Sequence, residues 1–272
     1  MTPVRSAGEV LEAIQKVKAG ATAFCTNFFP VQSKLENWVA HQELSFESSD
    51  DVIFFLRKDR DFAHLYFCAS NPAAFGDQLR RFSSIPTQKL AIDLVGAEAS
   101  VGALLKLTEE AGFARYSRLV RLARAAAPAS PPKPPTAVEV ATEGDASAIL
   151  ALIEQLFDRF ADQLPLSYEI APAVAARQIF VVKENGRIAA LLFFETQGLT
   201  STIRYWLVAP HFHSCGFGSA LIRHYFSSQT TVRRFLLWVA ATNDNAIQKY
   251  QHYGYAPDGL VDYVLVNGSA KN

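Results

Sequence analysis

A proline-rich segment divides the sequence into two parts of similar length. Residues 125–137 read AAAPASPPKPPTA and contain five prolines but no large apolar side chain. This composition favours an extended, polyproline-like connection over a packed element. We therefore predict an N-terminal α/β domain over residues 1–124, a linker over 125–137 and a second domain over 138–272. A length of 272 residues suits two domains of ordinary size.

The composition argues against several classes of protein. Half of the residues are hydrophobic, and 26 basic side chains balance 26 acidic ones. Such a balance offers no basic surface for nucleic acid or an anionic membrane. The N-terminus lacks the apolar stretch of a signal peptide, no apolar run reaches 18 residues, and the three cysteines are widely separated. The sequence thus predicts a soluble, cytoplasmic protein with no nucleic-acid or membrane partner.

Both halves show the alternating pattern of an α/β domain. Apolar runs with turn signals between them predict strands, and apolar positions at helical spacing predict helices. In the first half the predicted strands are 52–57, 64–70, 89–95 and 114–123, with helices at 72–83 and 99–112. In the second half they are strands 138–141, 179–183, 187–195, 201–209, 234–241 and 261–266, with helices at 142–160 and 245–253 and a glycine-bearing loop and helix over 210–228. Both halves end in strand, helix, Gly-aromatic and strand. This ending fits an internal duplication, and it also fits any α/β domain.

The stretch from Trp206 to Leu221 carries a pattern for binding phosphate. A predicted strand ends at Pro210, a short loop contains Gly216 and Gly218, and an amphipathic helix follows. Backbone N–H groups at a helix N-terminus attract anions, and glycines allow the backbone to approach them closely. A side chain at either glycine would stand where a pyrophosphate lies.

Two motifs in this half resemble those of the GCN5-related N-acetyltransferases, the GNAT superfamily. The first has the form V-x-P-x-x-[RQ]-x-x-G-x-G/A-x-x-L, and the second has the form N-x-x-A-x-x-x-Y-x-x-x-G-[FY]. The residues that match the first are Val208, Pro210, His213, Gly216, Gly218 and Leu221. Those that match the second are Asn243, Ala246, Tyr250, Gly254 and Tyr255. The resemblance covers residues 138–266.

The resemblance implies a mixed sheet that opens between the strands at 201–209 and 234–241. Acetyl-CoA or another acyl-CoA would lie in that opening as the cosubstrate, with no metal. Its pantetheine would pair with backbone near Leu207 and Val208, and its pyrophosphate would lie on the N–H groups of residues 213–218. The cofactor-binding residues implied are Leu207, Val208, His213, Ser214, Cys215, Gly216, Phe217, Gly218, Ser219 and Asn243.

The sequence departs from the family pattern at His213 and Ser214, where Arg or Gln followed by Gly is usual. Because amides hold most of the phosphate, this departure affects affinity more than activity. The first half resembles the family only faintly. Its corresponding junction reads CASNPAAFGD, with one glycine, and Thr108 stands where the second half has a tyrosine. We therefore expect it to be a degenerate GNAT-like domain without a cofactor site.

The resemblance also implies catalytic roles. Tyr250 occupies the position of the family tyrosine that supplies a proton to the departing CoA sulfur. Glu195 ends a strand on the acceptor side of the opening and is the candidate base, with Tyr205, Asp262 or a chain of waters as alternatives. His211, His213 and Cys215 alternate as metal ligands could, but a site of this kind needs a distant partner pair, so we predict no metal.

The expected function is transfer of an acyl group, most simply acetyl, from acyl-CoA to a primary amine of a small molecule or peptide. The alternative is a GNAT-fold module that binds or senses acyl-CoA without turnover. The tandem arrangement would allow the protein to act as a monomer. Loops such as 162–172 and 196–200 are expected to contact the acceptor.

Overall fold

A computed structural model of the protein describes residues 1–82, 88–126 and 138–267. Most of the predicted linker, residues 127–137, lies outside the described residues. The α-helices of the described part are α1 (Ala7–Ala19), α2 (Gln32–Ala40), α3 (Pro72–Phe82), α4 (Glu98–Glu110), α5 (Ala146–Leu156), α6 (Ser167–Ala175), α7 (Phe217–Ser228) and α8 (Asp244–His252).

The strands were largely predicted from the apolar runs. They are β1 (Thr2–Pro3), β2 (Cys25–Thr26), β3 (Leu44–Ser48), β4 (Val52–Asp59), β5 (Phe62–Ala69), β6 (Lys89–Ala97), β7 (Phe113–Ala125), β8 (Val138–Val140), β9 (Ile179–Glu184), β10 (Arg187–Gln197), β11 (Thr200–Val208), β12 (Arg234–Ala240) and β13 (Ala256–Asn267). The fold is mixed α/β, as predicted.

The chain divides into two compact units. The first comprises Met1–Leu119 with Gly259–Asn272, and the second comprises Val120–Asp258. This division differs from the predicted limits of 1–124 and 138–272, because most of β13 belongs to the first unit. Likewise, the last part of β7 belongs to the second unit. The boundaries of the two units therefore fall within β7 and within β13, and not in the linker.

The first unit contains a mixed sheet in the order β1-β3-β4-β5-β6-β13. Its parallel pair is β5 and β6, and β13 runs antiparallel to β6. One face packs against α1 and α2 through a cluster that includes Val10, Leu35 and Phe55. On the other face, the ring of Phe75 from α3 lies 4.1 Å from that of Phe67. Burial of these apolar side chains is the main source of stability for such a layered unit.

The second unit repeats this plan with the sheet order β7-β12-β11-β10-β9-β8. One face of its sheet packs against α5 and α6, where Ile153 and Ile170 meet Tyr205 and Leu207 of β11. The other face packs against α7 and α8, where Leu221 and Tyr250 join the cluster that includes Trp206 and Val208. Successive side chains of β11 thus contact different helices, as alternation along a strand requires.

Two sequence predictions need correction in this unit. The helix expected over 142–160 begins with a 3₁₀ turn at Glu143–Asp145 and ends at Leu156. Part of the stretch 162–172, expected as a loop, belongs to α6, which contains Pro172. Burial of Ile170, Ala173 and Val174 maintains this helix although proline lacks an N–H.

Candidate functional site

The sheet of the second unit opens between its two parallel strands. The pairing of β11 with β12 runs from Thr200 opposite Arg234 to Ile203 opposite Leu237. Both strands continue past this point, and β11 remains paired with β10 as far as Val208 opposite Ala190. The strands therefore part after Ile203, where the resemblance had implied an opening.

A cleft of about 880 Å³ lies at this opening. Its walls come from the end of β11, the loop and first turn of α7, and one face of α8. The predicted cofactor-binding residues that line it are Leu207, Val208, His213, Ser214, Gly216, Phe217, Gly218, Ser219 and Asn243. Tyr250 lines it as well, whereas Cys215 is exposed and does not.

The backbone at the end of β11 presents hydrogen-bonding groups to the opening. The N–H of Ala209 donates to the carbonyl of Ala189 on β10, at 2.8 Å. Because backbone groups alternate in direction along a strand, those of Leu207 also face β10, and those of Trp206 and Val208 face away from it. The groups available to pair with a ligand in the opening are thus those of Trp206 and Val208. Leu207 also lines the cleft, although its side chain belongs to the cluster that packs against α5 and α6.

The N-terminus of α7 supplies donors at one end of the cleft. Ser214 and Gly216 adopt left-handed conformations, with φ of 69° and 80°. The first hydrogen bond within the helix runs from the N–H of Ala220 to the carbonyl of Gly216, at 3.0 Å. The N–H groups of Phe217, Gly218 and Ser219 therefore have no acceptor within the helix, and the helix dipole adds to their attraction for an anion.

The loop before α7 uses some of the amides that were expected to bind phosphate. The N–H of His213 donates to Pro210 at 3.4 Å, and that of Cys215 donates to Phe212 at 3.3 Å. The ring Nε2 of His213 lies 3.1 Å from the carbonyl oxygen of Val208. The donors at the cleft are thus concentrated at residues 217–219, and the imidazole of His213 covers a carbonyl that faces the opening.

The opposite wall is α8, which begins at the predicted cap. The side chain of Asn243 accepts a hydrogen bond from the N–H of Ala246, at 3.1 Å. Farther along the helix, the ring of Tyr250 lies 5.5 Å from that of Trp206, and the ring of Tyr253 lies 5.7 Å from it. The Tyr253 hydroxyl donates to Ser219 Oγ at 2.8 Å, which ties α8 to the first turn of α7.

Tyr250 retains its proton at neutral pH. Burial raises its pKa, and the nearby carboxylate of Asp162 raises that pKa further. A neutral phenol inside a cleft can donate a hydrogen bond or a proton, and it cannot act as a base.

The candidate bases lie elsewhere. Glu195 is paired with Thr202 on β11, is not part of the cleft lining, and has its Oε1 4.0 Å from Nε of Arg204. The Tyr205 hydroxyl donates to the carbonyl of Gln163 at 2.9 Å, and burial raises the pKa of Tyr205 to about 12. Asp262 belongs to the first unit. The structure thus places Glu195 and Tyr250 apart, and it gives Tyr205 an anchoring contact.

Several residues that line the cleft were not predicted from the sequence to do so. Trp206 forms part of the wall, and its buried indole Nε1 has no hydrogen-bond partner in the described residues. Tyr253, Lys249 and His252 also line the cleft. The last two are exposed basic residues in the final turn of α8, a position that could have been noted.

The first unit has a similar opening, and its own chain fills it. Pairing of β5 with β6 ends at His64 opposite Ala91. Asn27, which is buried, lies between the strands beyond that point. Its Nδ2 donates to the carbonyls of Leu65 (3.0 Å) and Asp93 (2.9 Å), and its Oδ1 accepts from the N–H of Phe67 (2.7 Å). The asparagine thus satisfies backbone groups of both parted strands.

The helix that follows this opening lacks a free N-terminus. α3 begins at Pro72, which has no N–H, and Asn71 Oδ1 accepts from the N–H of Ala74 at 2.9 Å. A Cβ at Gly76 would lie 2.7 Å from Leu107 Cδ2, so this glycine allows α3 and α4 to pack closely. At this opening, α3 therefore offers fewer free amides than α7 does.

The described residues contain neither a metal-binding group nor a membrane-spanning helix. Within residues 1–82, 88–126 and 138–267, no group of three or more His, Cys, Asp or Glu side chains is arranged to hold a metal ion. None of the helices in this described part combines the length and apolar character that a membrane span requires.

Comparison with known proteins agrees with the geometry. Residues 149–255 match the model of the acetyltransferase (GNAT) family. A tandem GNAT protein from the clavulanic acid biosynthesis pathway is similar in structure, with a TM-score of 0.59 at 12% identity over 99% of both chains. No curated protein matches the sequence.

Two further solved structures resemble the full chain. A GCN5-related N-acetyltransferase from Sphaerobacter thermophilus has a TM-score of 0.58 at 15% identity over 98% of this chain and 94% of its own. An acetyltransferase of the GNAT family from Colwellia psychrerythraea has a TM-score of 0.59 at 10% identity over 98% of this chain and 99% of its own. Residues 149–255 thus match the acetyltransferase (GNAT) family, and the full chain has a fold similar to that of a tandem GNAT protein.

Proposed function

We propose that the second unit binds acetyl-CoA or a related acyl-CoA and transfers the acyl group to a primary amine of a small molecule or peptide. The observation that carries this proposal is the arrangement of the cleft. Unpaired amides of Phe217, Gly218 and Ser219 lie at the helix N-terminus, and the neutral hydroxyl of Tyr250 lies where the two strands have parted. The match of residues 149–255 to the acetyltransferase (GNAT) family supports acyl transfer as the reaction.

The residues of the cleft fit an acyl-CoA in shape and in charge. A Cβ on Gly218 would lie 3.3 Å from Val208 Cγ2 and 3.5 Å from Trp206 Cζ2, so α7 approaches the wall of the cleft closely. The amides of α7 would hold the pyrophosphate, with Lys249 on the opposite rim to add a positive charge. The backbone of Trp206 and Val208 would pair with the pantetheine amides.

The chemistry requires little more than positioning and proton transfer. The acceptor nitrogen bonds to the acyl carbon and loses a proton, and the carbon–sulfur bond breaks as the sulfur gains one. Tyr250 would supply the proton to the sulfur, since its raised pKa keeps the hydroxyl protonated. A backbone N–H that faces the opening, such as that of Val208, would stabilise the developing charge on the acyl oxygen.

The rival function is an acyl-CoA-binding module without turnover. One observation favours it: the ring of His213 covers the carbonyl of Val208, which a bound pantetheine would need. The discriminating experiment measures free thiol released from acetyl-CoA by the purified protein with a panel of primary amines. Amine-dependent release supports the transferase. Calorimetric binding of CoA without release of thiol in the presence of any amine supports the rival.

The three free cysteines agree with the expected cytoplasmic location, which stays a prediction.

A further inference from the structure

The loop between α5 and α6 is fastened to β11 beside the opening. The buried hydroxyl of Tyr205 donates to the carbonyl oxygens of Asp162 (3.1 Å) and Gln163 (2.9 Å). Tyr205 is followed directly by Trp206, whose ring packs on Tyr250. Because Tyr205 and Trp206 contact the helices on different faces, this loop lies on the face of β11 away from α8. Asp162 is therefore held on the opposite face of β11 from Tyr250, and its charge still raises the pKa of that tyrosine.

The Asp162 carboxylate is held in position but only partly engaged. Its Oδ2 accepts a hydrogen bond from the N–H of Asp158 at 2.8 Å. The Asp158 carboxylate is itself occupied, since its Oδ1 accepts from the N–H groups of Phe160 and Ala161, both at 2.9 Å. This leaves Oδ1 of Asp162 to accept a proton from a ligand.

The charges around Asp162 favour a base that works near neutral pH. Burial is the main reason why the pKa of Asp162 is raised to about 6; the hydrogen bond from the Asp158 N–H and the charge of Arg204 on β11 lower this pKa, and the charge of Asp158 raises it. Arg204 is itself paired with Glu195 on β10, and Glu169 on α6 also interacts with it. On the side of α8, the facing group is the neutral hydroxyl of Tyr250, which experiences the charge of Asp162. A carboxylate with this pKa is ionised at pH 7.5 and can accept a proton effectively.

We propose that Asp162 is the general base of the acyl transfer, acting on the acceptor amine from the face of β11 opposite to that of Tyr250. This inference rests on the proposed function. As the amine nitrogen bonds to the acyl carbon, its proton passes to Asp162, directly or through one water. As the carbon–sulfur bond breaks, the Tyr250 proton passes to the sulfur. Solvent then returns a proton from Asp162 to the Tyr250 phenolate, so that no net proton is gained or lost by the protein.

This assignment replaces the role expected for Glu195. On β10, Glu195 lies three residues from Leu192, which is the residue opposite Trp206. Three residues of strand correspond to about 10 Å, which separates Glu195 from the cleft wall. Its carboxylate also lies beside Arg204, with Oε1 4.0 Å from Nε.

The first test is the pH dependence of kcat/KM in the wild type, in Asp162→Asn and in Asp162→Glu, using the amine that gives the fastest thiol release. We expect the wild-type rate to fall with a slope of one below about pH 6, since general-base catalysis requires the ionised carboxylate. Asp162→Asn should lose about 10²-fold at pH 7.5 and lose the break near pH 6. Asp162→Glu should recover part of the rate. Glu154→Gln, which removes an exposed charge from α5, serves as the control.

The second test uses the protein without substrate. A carboxyl group whose pKa is higher in the folded than in the unfolded state makes stability fall as the pH rises from about 4 to 6. Asp162→Asn should remove this segment of the pH dependence and be at least as stable as the wild type at pH 7.5. It should also bind CoA with unchanged affinity. A loss of stability and of CoA binding together would assign Asp162 a purely structural role.

The outcomes separate the two proposals. If the wild type and Asp162→Asn release thiol equally fast with the same pH profile, the base assignment is wrong and the transferase stands. If no amine causes release by the wild type, the proposed function fails, and the base role fails with it. A tenfold or greater loss in Glu154→Gln would show that a general change in charge, and not the base, had been measured.

Discussion

The two glycines at the start of α7 are needed there for different physical reasons. Gly216 has a φ of 80°, a conformation that side chains disfavour, although a Cβ there would meet no atom within 4 Å. Gly218 has no such angle, and its Cβ would instead press against Val208 and Trp206. The sequence predicts both as positions for close approach to phosphate. In the structure, Gly216 makes the turn, and Gly218 allows α7 to lie close to Val208 and Trp206 of β11.

Gly218→Val should therefore abolish measurable binding of CoA to a folded protein. The two added methyl groups would fill the space between the first turn of α7 and the end of β11. Calorimetric titration with CoA and a thermal unfolding curve give both readouts. Gly102→Val is the matched control, because it makes the same change in a helix where a Cβ meets nothing within 4 Å. Wild-type affinity in Gly218→Val would contradict the assignment of the cleft.

Tyr250→Phe should lower kcat by about 10²-fold or more with little change in the KM for acyl-CoA. The hydroxyl is expected to act only while the carbon–sulfur bond breaks, so its loss affects the transition state and not binding. The phenyl ring retains its packing on Trp206. Steady-state kinetics across acetyl-CoA concentrations measure both constants. An unchanged kcat would assign Tyr250 to packing.

At the residue scale, the site residues that could not be predicted from the sequence are those whose positions depend on how the chain packs. Gly216, Gly218, Asn243 and Tyr250 could be predicted because they belong to motifs with fixed spacing. Tyr253 could not be predicted, since the face of α8 that meets the cleft depends on how the helix packs. Asp162 was not singled out as a catalytic group, because only the folded chain brings the loop after α5 to Tyr205 of β11.

At the scale of elements, α8 depends on its cap more than on burial. None of its residues is fully buried, although it carries Tyr250 and Lys249. Asn243→Ala removes the acceptor for the N–H of Ala246 and should lower the free energy of unfolding by about 1 kcal/mol. We also expect weaker binding of CoA. Asn243→Asp keeps an acceptor and should restore most of the stability in urea titrations. Equal stability of the alanine and aspartate variants would exclude a capping role.

Elements with strong local signals were predicted, and those with weak or conflicting signals were missed. The hairpin of β4 and β5 and the strands around Asn185-Gly186 follow from alternating apolar runs and turn residues. α6 was missed because Pro165 and Pro172 indicate a loop, and tertiary burial overrides that local preference. α2 was also missed. Its helical pattern is short, with Leu35 and Trp38 as its fully buried positions.

At the scale of the molecule, the partner of each final strand could not be predicted. The sequence places β7 at the end of the first half and β13 at the end of the second. In the structure, Leu260–Val266 of β13 pairs with β6 of the first unit. An apolar alternating strand is compatible with the edge of either sheet, so its local pattern does not select one. The repeated ending of strand, helix, Gly-aromatic and strand could be seen in the sequence, where it fitted both a duplication and any α/β domain.

The intact protein should bind one acyl-CoA, and the second unit should hold it. Asn27 occupies the opening of the first unit and pairs with the backbone of Leu65, Phe67 and Asp93. Displacing it would leave buried donors and acceptors unsatisfied, at about 1–3 kcal/mol for each group. The N-terminus of α3, beside this opening, also offers fewer free amides than that of α7.

The measurement is the stoichiometry of CoA binding to the full chain by calorimetry, repeated with Gly218→Val. We expect a value near one for the wild type and no binding for the variant. Since α3 starts with a proline and the N–H of Ala74 is already bonded to Asn71, an anion would find fewer donors there than at α7. A stoichiometry near two, or a site that survives Gly218→Val, would show that the first unit still binds the cosubstrate despite Asn27.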